Sequence, residues 1–254
     1  MKKTYLILAL FLTFFSCSTQ KEVFNNYIPA NSNIAYNDYF TENTIRFDFH
    51  HSGDSQSEMY HFNRVIREGA WAGSRISLIN PFNYGEQMFR IIDCATGNVI
   101  YKNNYCTLFN EWQTTPEATV CNRSFPESVI FPEPKANFVI EFYARNKVSK
   151  IWEKKYTQTV NVKSHDIAPR KKQCENYDIH IGGDIAHSLD IVLLPDGFTE
   201  EDKDKFIAAC RMWSDALFKY EPFTQNKHRI NIRAVWAASN EKGIDKPGIG
   251  KWVD

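Results

Sequence analysis

The side chains best suited to proton transfer or metal binding in this chain are its seven histidines, and their spacing sorts them. His50, His51, His61, His165, His180, His187 and His228 include no pair at the i, i+4 spacing that sets two imidazoles on one helix face with a general-base glutamate between them. His50 and His51 end a strand-like segment, so they project to opposite faces, as one solvated and one packed side chain rather than two ligands of one ion. Asp196, in Pro195-Asp196-Gly197-Phe198-Thr199 after the apolar run Leu189 to Leu194, stands where α/β enzymes hold ligands. A phosphatase-like nucleophile would need a second carboxylate two residues upstream, and that position is Leu194. Asp-Gly is a turn signal in its own right, which gives Asp196 a turn-and-cap role. There is no GxSxG, P-loop or GxGxxG, and the cysteines offer no CxxC. Catalytic residues: none; metal ligands: none.

The remaining chemistry is at the N-terminus. Lys2 and Lys3 precede an apolar run from Tyr5 to Phe15, too short to cross a bilayer core of about 30 Å as a helix and suited to a signal-peptide core over residues 1–16. Ser16-Cys17 and the polar residues after it resemble the lipobox of bacterial lipoproteins, which implies acylation of Cys17 and attachment to a membrane through that lipid. Ordinary secretion and an uncleaved anchor are the alternatives, and all three place the folded part outside the cytoplasm, in the cell envelope or beyond. With Cys17 lipidated, five of the six cysteines remain, so at least one is free or pairs between molecules. Trp71, Trp112 and Trp152 could stack on sugars if exposed in a row, but in an aromatic-rich chain they are expected as core anchors.

The elements that would position these residues divide the chain in two. Asn-rich residues 17–41 look like a polar tether. From Thr44 the alternation of Ile45, Phe47 and Phe49 against Arg46, Asp48 and His50 has the period of a half-buried strand. Asp93 to Asn98 and Asn146-Lys147 each turn a hairpin, and short helical signals are read at Phe62 to Ile66 and after Thr114-Thr115-Pro116-Glu117. Residues 42–163 are therefore expected as an antiparallel β-sandwich and 164–177, with Pro169 and a basic triplet, as a linker. Residues 178–254 follow another grammar. A buried strand at Leu189 to Leu194, a helix with Phe206, Cys210, Trp213 and Leu217 on one stripe beside Ile207, and a strand at Ile230 to Trp236 make a βαβ unit with parallel strands. The fold class is mainly β, a sandwich followed by an incomplete α/β unit. Thirty basic against thirty acidic residues leave no electrostatic footprint for nucleic acid, which is not an expected partner.

These blocks carry a resemblance. Thr44 to Gly53, Gly69-Ala70-Trp71-Ala72-Gly73-Ser74-Arg75, Glu111-Trp112-Gln113-Thr114-Thr115-Pro116-Glu117-Ala118, Asp93 to Tyr101, Phe131-Pro132-Glu133-Pro134 and Asp190 to Thr199 resemble blocks of the IgA-peptidase family, family 64 of the metallopeptidases. The likeness runs from about Thr44 to Asp254. It implies a secreted or surface zinc endopeptidase acting on protein substrates. In that family a β-sandwich precedes an α/β catalytic domain whose HExxH helix binds zinc and whose Glu activates the attacking water. This sequence has no HExxH, so no catalytic or zinc residue carries over to any position and no zinc is expected on this chain. The expectation is the front part of such an enzyme, truncated before its zinc helix and inactive alone. The alternative is a non-catalytic surface lipoprotein whose sandwich is a binding module for a glycan or protein.

Overall fold

In the computed structural model, which describes residues 34–164, 167–170 and 174–253, the alternation around Phe47 belongs to a long strand. A helical turn, α1 (Tyr36–Tyr39), leads into β1 (Phe40–Gly53), whose Ile45, Phe47 and Phe49 are fully buried. β1 pairs antiparallel with β2 (Glu58–Ala70) on one side and β5 (Arg123–Pro134) on the other. The facing sheet holds β3 (Gln87–Asp93), β4 (Val99–Tyr105), β6 (Phe138–Arg145) and β7 (Trp152–Val160), in the order β4-β3-β6-β7. Between the sheets Phe47, Phe49, Phe89, Phe131, Phe138 and Phe142 fill the core with rings at mutual tilts and centroid spacings of about 4.7 to 6.4 Å. The expected antiparallel sandwich is what forms.

Its borders differ from the sequence reading. Tyr36 and Phe40 are buried in the core, so the segment read as tether through residue 41 joins the sandwich at its end. A short strand, β8 (Ile167–Pro169), lies within the segment read as linker, parallel to β2, with Ile167 in the core. One apolar side chain has no period to announce it, yet burying an isoleucine contributes about 1.5 to 3 kcal/mol. The helical signal at Phe62 to Ile66 falls inside β2, where Val65 and Ile66 are both buried near an irregularity in register opposite Asp48/Phe49. That irregularity breaks the period of two and imitates a helical spacing. The second signal is met by a 3-10 turn at Glu117–Thr119, preceded by a short helix α2 (Leu108–Trp112) that the sequence reading did not find. β5 went unread as a strand because it carries Pro126, Pro132 and Pro134, tolerated at the edge position that β5 occupies. Trp71, Trp112 and Trp152 are buried, as core anchors.

The second unit is a three-stranded sheet ordered β10-β11-β9, made of β9 (Glu175–Ile181), β10 (Leu189–Leu193) and β11 (Ile230–Trp236). β10 and β11 run parallel with α3 (Lys203–Leu217) between them in sequence, the expected βαβ unit, and β9 adds antiparallel to β11. The stripe of α3 that packs on this sheet is Phe206 and Cys210 with Ser214, against Ala234 and Trp236, while Trp213 is exposed. β10 is an edge strand with Leu189 and Val192 exposed, so it is not the buried strand that its apolar run suggested. No described helix is long and apolar enough to cross a membrane.

Candidate functional site

At the carboxyl end of the parallel pair, the position where open α/β sheets hold ligands, the turn after β10 meets the loop after β11. Gly197 has a φ of +71°, and a Cβ there would sit 1.9 Å from the carbonyl oxygen of Gly243, so only glycine fits. The backbone N–H of Gly197 donates to Ser239 Oγ at 2.9 Å, Ser239 N donates to Phe198 O at 2.8 Å, and Gly243 N donates to Gly197 O at 3.1 Å. Asp196 makes the turn as read, but its side chain is exposed and caps no described helix.

Asp202, buried at the start of α3, gathers three side chains. Thr199 Oγ1 donates to Asp202 Oδ2 at 3.0 Å, while Lys205 Nζ and Lys242 Nζ reach Asp202 Oδ1 at 2.6 and 3.0 Å. The hydrogen bonds from Lys205 and Lys242 hold this carboxyl well below the usual aspartate range. Asp202 thus ties the start of α3 to the loop after β11. The geometry supplies a braced two-loop platform, with no nucleophile and base pair on it among the described residues.

The strongest cluster of ionisable groups lies in the sandwich. His51 continues the inward series Phe47, Phe49 of β1 and is fully buried, while His50 on the other face is half-buried, as the alternation implies. Its Nδ1 lies 3.2 Å from Glu127 Oε2 on β5 and its Nε2 3.1 Å from Glu58 Oε2 on β2. A neutral imidazole can donate through only one nitrogen, so two carboxylate partners call for the imidazolium. Burial opposes charging the ring, but the hydrogen bonds to Glu127 and Glu58 outweigh it and raise its pKa above 6.5. Burial likewise works against ionising Glu58, and its bond to His51 with the charge of Lys155 brings it below 4.5. Tyr60 stacks on one side of the imidazole at 4.3 Å and Phe109 of α2 packs on it at 3.9 Å. Gln87 donates to Glu58 at 3.3 Å and accepts from the Tyr60 hydroxyl at 2.6 Å.

This triad is not a metal site. Both ring nitrogens are committed to carboxylates on opposite edges of the imidazole, and among the described residues no three His, Cys, Asp or Glu side chains converge as a metal ion requires. The triad therefore does not fit zinc. Sequence reasoning expected one packed and one solvated histidine at positions 50 and 51 but missed Glu58 and Glu127, since nothing short of strand pairing brings positions 51, 58 and 127 together.

The sequence blocks that carry the resemblance are scaffold in this geometry. Gln113 Nε2 donates to the carbonyl oxygens of Asp54 and Ser57 at 2.7 and 3.2 Å, clamping the β1–β2 turn, and Trp112 Nε1 donates to Glu117 Oε2 at 2.9 Å. Gly73 lies under the ring of Trp71, where a Cβ would come within 2.2 Å of it. Buried Glu133 gathers Thr41, Asn43 and Arg67 at 2.8, 3.0 and 2.6 Å. Cys210 is buried as expected, and no described cysteine is in a disulfide. Cys17, the expected lipidation site, lies outside the described residues, as does His165.

Comparison with known families gives two matches in succession. Residues 35–157 match the family model described as Peptidase M64 N-terminus, and residues 178–252 match that described as IgA Peptidase M64. No curated protein matches the chain.

Proposed function

The chain belongs to the M64 peptidase family, and from that premise we propose that it supplies the sandwich and the opening of the catalytic domain of a zinc metalloendopeptidase that works outside the cytoplasm. The family is one of metallopeptidases, so metal use and protein substrates belong to its full-length members. One observation carries the reading: the two matches fall in order, the first on the two-sheet sandwich and the second on the three-stranded sheet of the α/β unit. The side chains of Leu189, Val192 and Leu194, exposed on and just after an edge strand, support a catalytic sheet to which further structure adds.

Within these residues the sandwich braces and the α/β unit positions, and neither activates water. When bound in the complete catalytic domain, zinc would supply the Lewis acid that polarises the scissile carbonyl and lowers the pKa of water. The 254 residues by themselves hydrolyse no peptide. At the front end, lipid on Cys17 anchors the protein at the cell envelope, a reading supported by the apolar run before it and the polar segment after it. The test is hydrolysis of a quenched-fluorescence peptide library by the purified 17–254 protein, with and without a chelator. The expected result is no cleavage; cleavage that the chelator abolishes would overturn the proposal.

A further inference from the structure

Outside the loops and the triad already described, the outer face of the β1–β2 pair forms one wall of a cleft of about 440 Å³ whose other wall comes from β8, Cys174, Asn176 and Val235. Its volume is within the range of small-molecule sites, and it lies where the two units of the chain meet. The charges in it are layered. Arg46 holds Asp48 at 2.8 Å through Nε and Glu68 at 2.8 Å through Nη1, Arg64 Nε holds Asp48 at 2.8 Å, and Arg170 Nε holds Glu68 at 3.1 Å. The two carboxylates are the deep layer, with side chains 12% and 14% exposed, whereas those of Arg64 and Arg170 are 58% exposed. Arg64 and Arg170 each spend only Nε on these pairs, so their terminal nitrogens make no hydrogen bond to any described residue.

We infer that this cleft binds a monocarboxylate with a short apolar tail, either a free branched-chain acid or the terminal carboxylate of a peptide ending in an apolar residue. Among the described residues, three guanidiniums against the two carboxylates they pair with leave one positive charge in excess, which matches a single carboxylate. The guanidinium fork pairs with a carboxylate through two parallel N–H donors, and its weak hydration keeps the cost of removing water low. Ile66 from one wall and Pro169 and Val235 from the other give the tail an apolar surface. Nothing in this chemistry depends on the chain being part of a peptidase.

Cys174 lines the cleft, half-buried and free, and reports its occupancy. The experiment follows iodoacetamide alkylation of Cys174 in the full chain by peptide mass spectrometry, with exposed Cys94 as the internal control. The probes are isovalerate, N-acetyl-alanyl-valine and the C-terminal amide of that dipeptide. At ten times its dissociation constant a carboxylate ligand is expected to slow Cys174 alkylation about tenfold by mass action, with Cys94 unchanged and the amide without effect. Protection by both acids assigns the carboxylate and branched tail as sufficient; protection by the dipeptide alone assigns the chain terminus. R64Q and R170Q should each raise the dissociation constant about ten- to a hundredfold, the loss of one charge-assisted pairing, which at the same ligand concentration leaves protection of about twofold or less, and R170K should fail to restore it. Absence of protection by either acid, equal protection by the amide, or protection that survives both arginine substitutions would overturn the inference. Calorimetric titration of the unaltered chain with the dipeptide and its amide separates the same outcomes without depending on any variant's folding.

Discussion

Replacing His51 with Gln tests whether the buried triad is held by charge. The side chain keeps a polar end of similar reach but carries no positive charge, so Glu58 and Glu127 face one another across a neutral amide with side chains only 13% and 11% exposed. Removing one partner of a buried ion pair costs about 3 to 5 kcal/mol, and the remaining pairing of Glu58 with Lys155 at 3.3 Å puts the expected loss at the lower end, about 3 kcal/mol. For a sandwich of about 130 residues, an unfolding entropy of about 2.1 cal/mol/K per residue makes that a drop of about 10 °C in melting temperature. The pH dependence follows from the two directions. His51, raised above 6.5, contributes fully below that pH and less as pH climbs through its folded-state value; Glu58, lowered below 4.5, contributes above 4.5 and loses its share in more acid solution. The gap between wild type and H51Q is therefore widest between about pH 4.5 and 6.5 and narrows at pH 9. Thermal unfolding followed by near-UV circular dichroism at pH 6 and pH 9 measures it. A gap below about 1 kcal/mol, or one equal at both pH values, would refute a charged imidazole at this position. A triple variant, H51L with E58Q and E127Q, should recover most of the loss, because it leaves no uncompensated charge behind.

Gly197→Ala places a Cβ 1.9 Å from the Gly243 carbonyl on a backbone of positive φ, and should detach the 239–243 loop, read as faster hydrogen exchange there with β1 unchanged. Trypsin should cut at the Arg170-Lys171-Lys172 triplet and leave a stable sandwich, while a chain ended at Lys163 should be less stable by about 2 kcal/mol because Ile167 is gone; equal melting of the two would deny β8 its role. Cys17→Ala should move the protein from membrane to soluble fractions, and unchanged partitioning would remove the lipid anchor.

What could be read from the sequence was what local periodicity encodes. Ile45, Phe47 and Phe49 alternate without interruption, and the core they predict is the one that forms. The Asp93–Asn98 hairpin was equally plain, since Gly97 takes the positive φ and Asp93 Oδ2 accepts from Thr96 N at 2.8 Å. The βαβ unit was legible too, because a stretch of apolar residues, a helix with one apolar stripe and an alternating strand each obey their own period. What stayed hidden depends on partners remote in sequence. β5 reads poorly because its prolines are acceptable only at an edge, and being an edge is a property of the sheet. Val192 looks buried in the sequence and is exposed because it alternates with Leu193, whose face of the sheet is the one that packs on α3. The triad of His51, Glu58 and Glu127 and the cleft of Arg46, Arg64 and Arg170 arise from strand register, which no short motif records.

If these residues are the scaffold and opening structure of an M64 peptidase, its metal chemistry is held by residues that this sequence does not contain. Zinc content per folded chain, measured by metal analysis of purified 17–254 protein after equilibration with zinc and gel filtration, puts this to the test without recourse to any substrate. The expected result is no stoichiometric zinc, and about one tightly held ion per chain would contradict it.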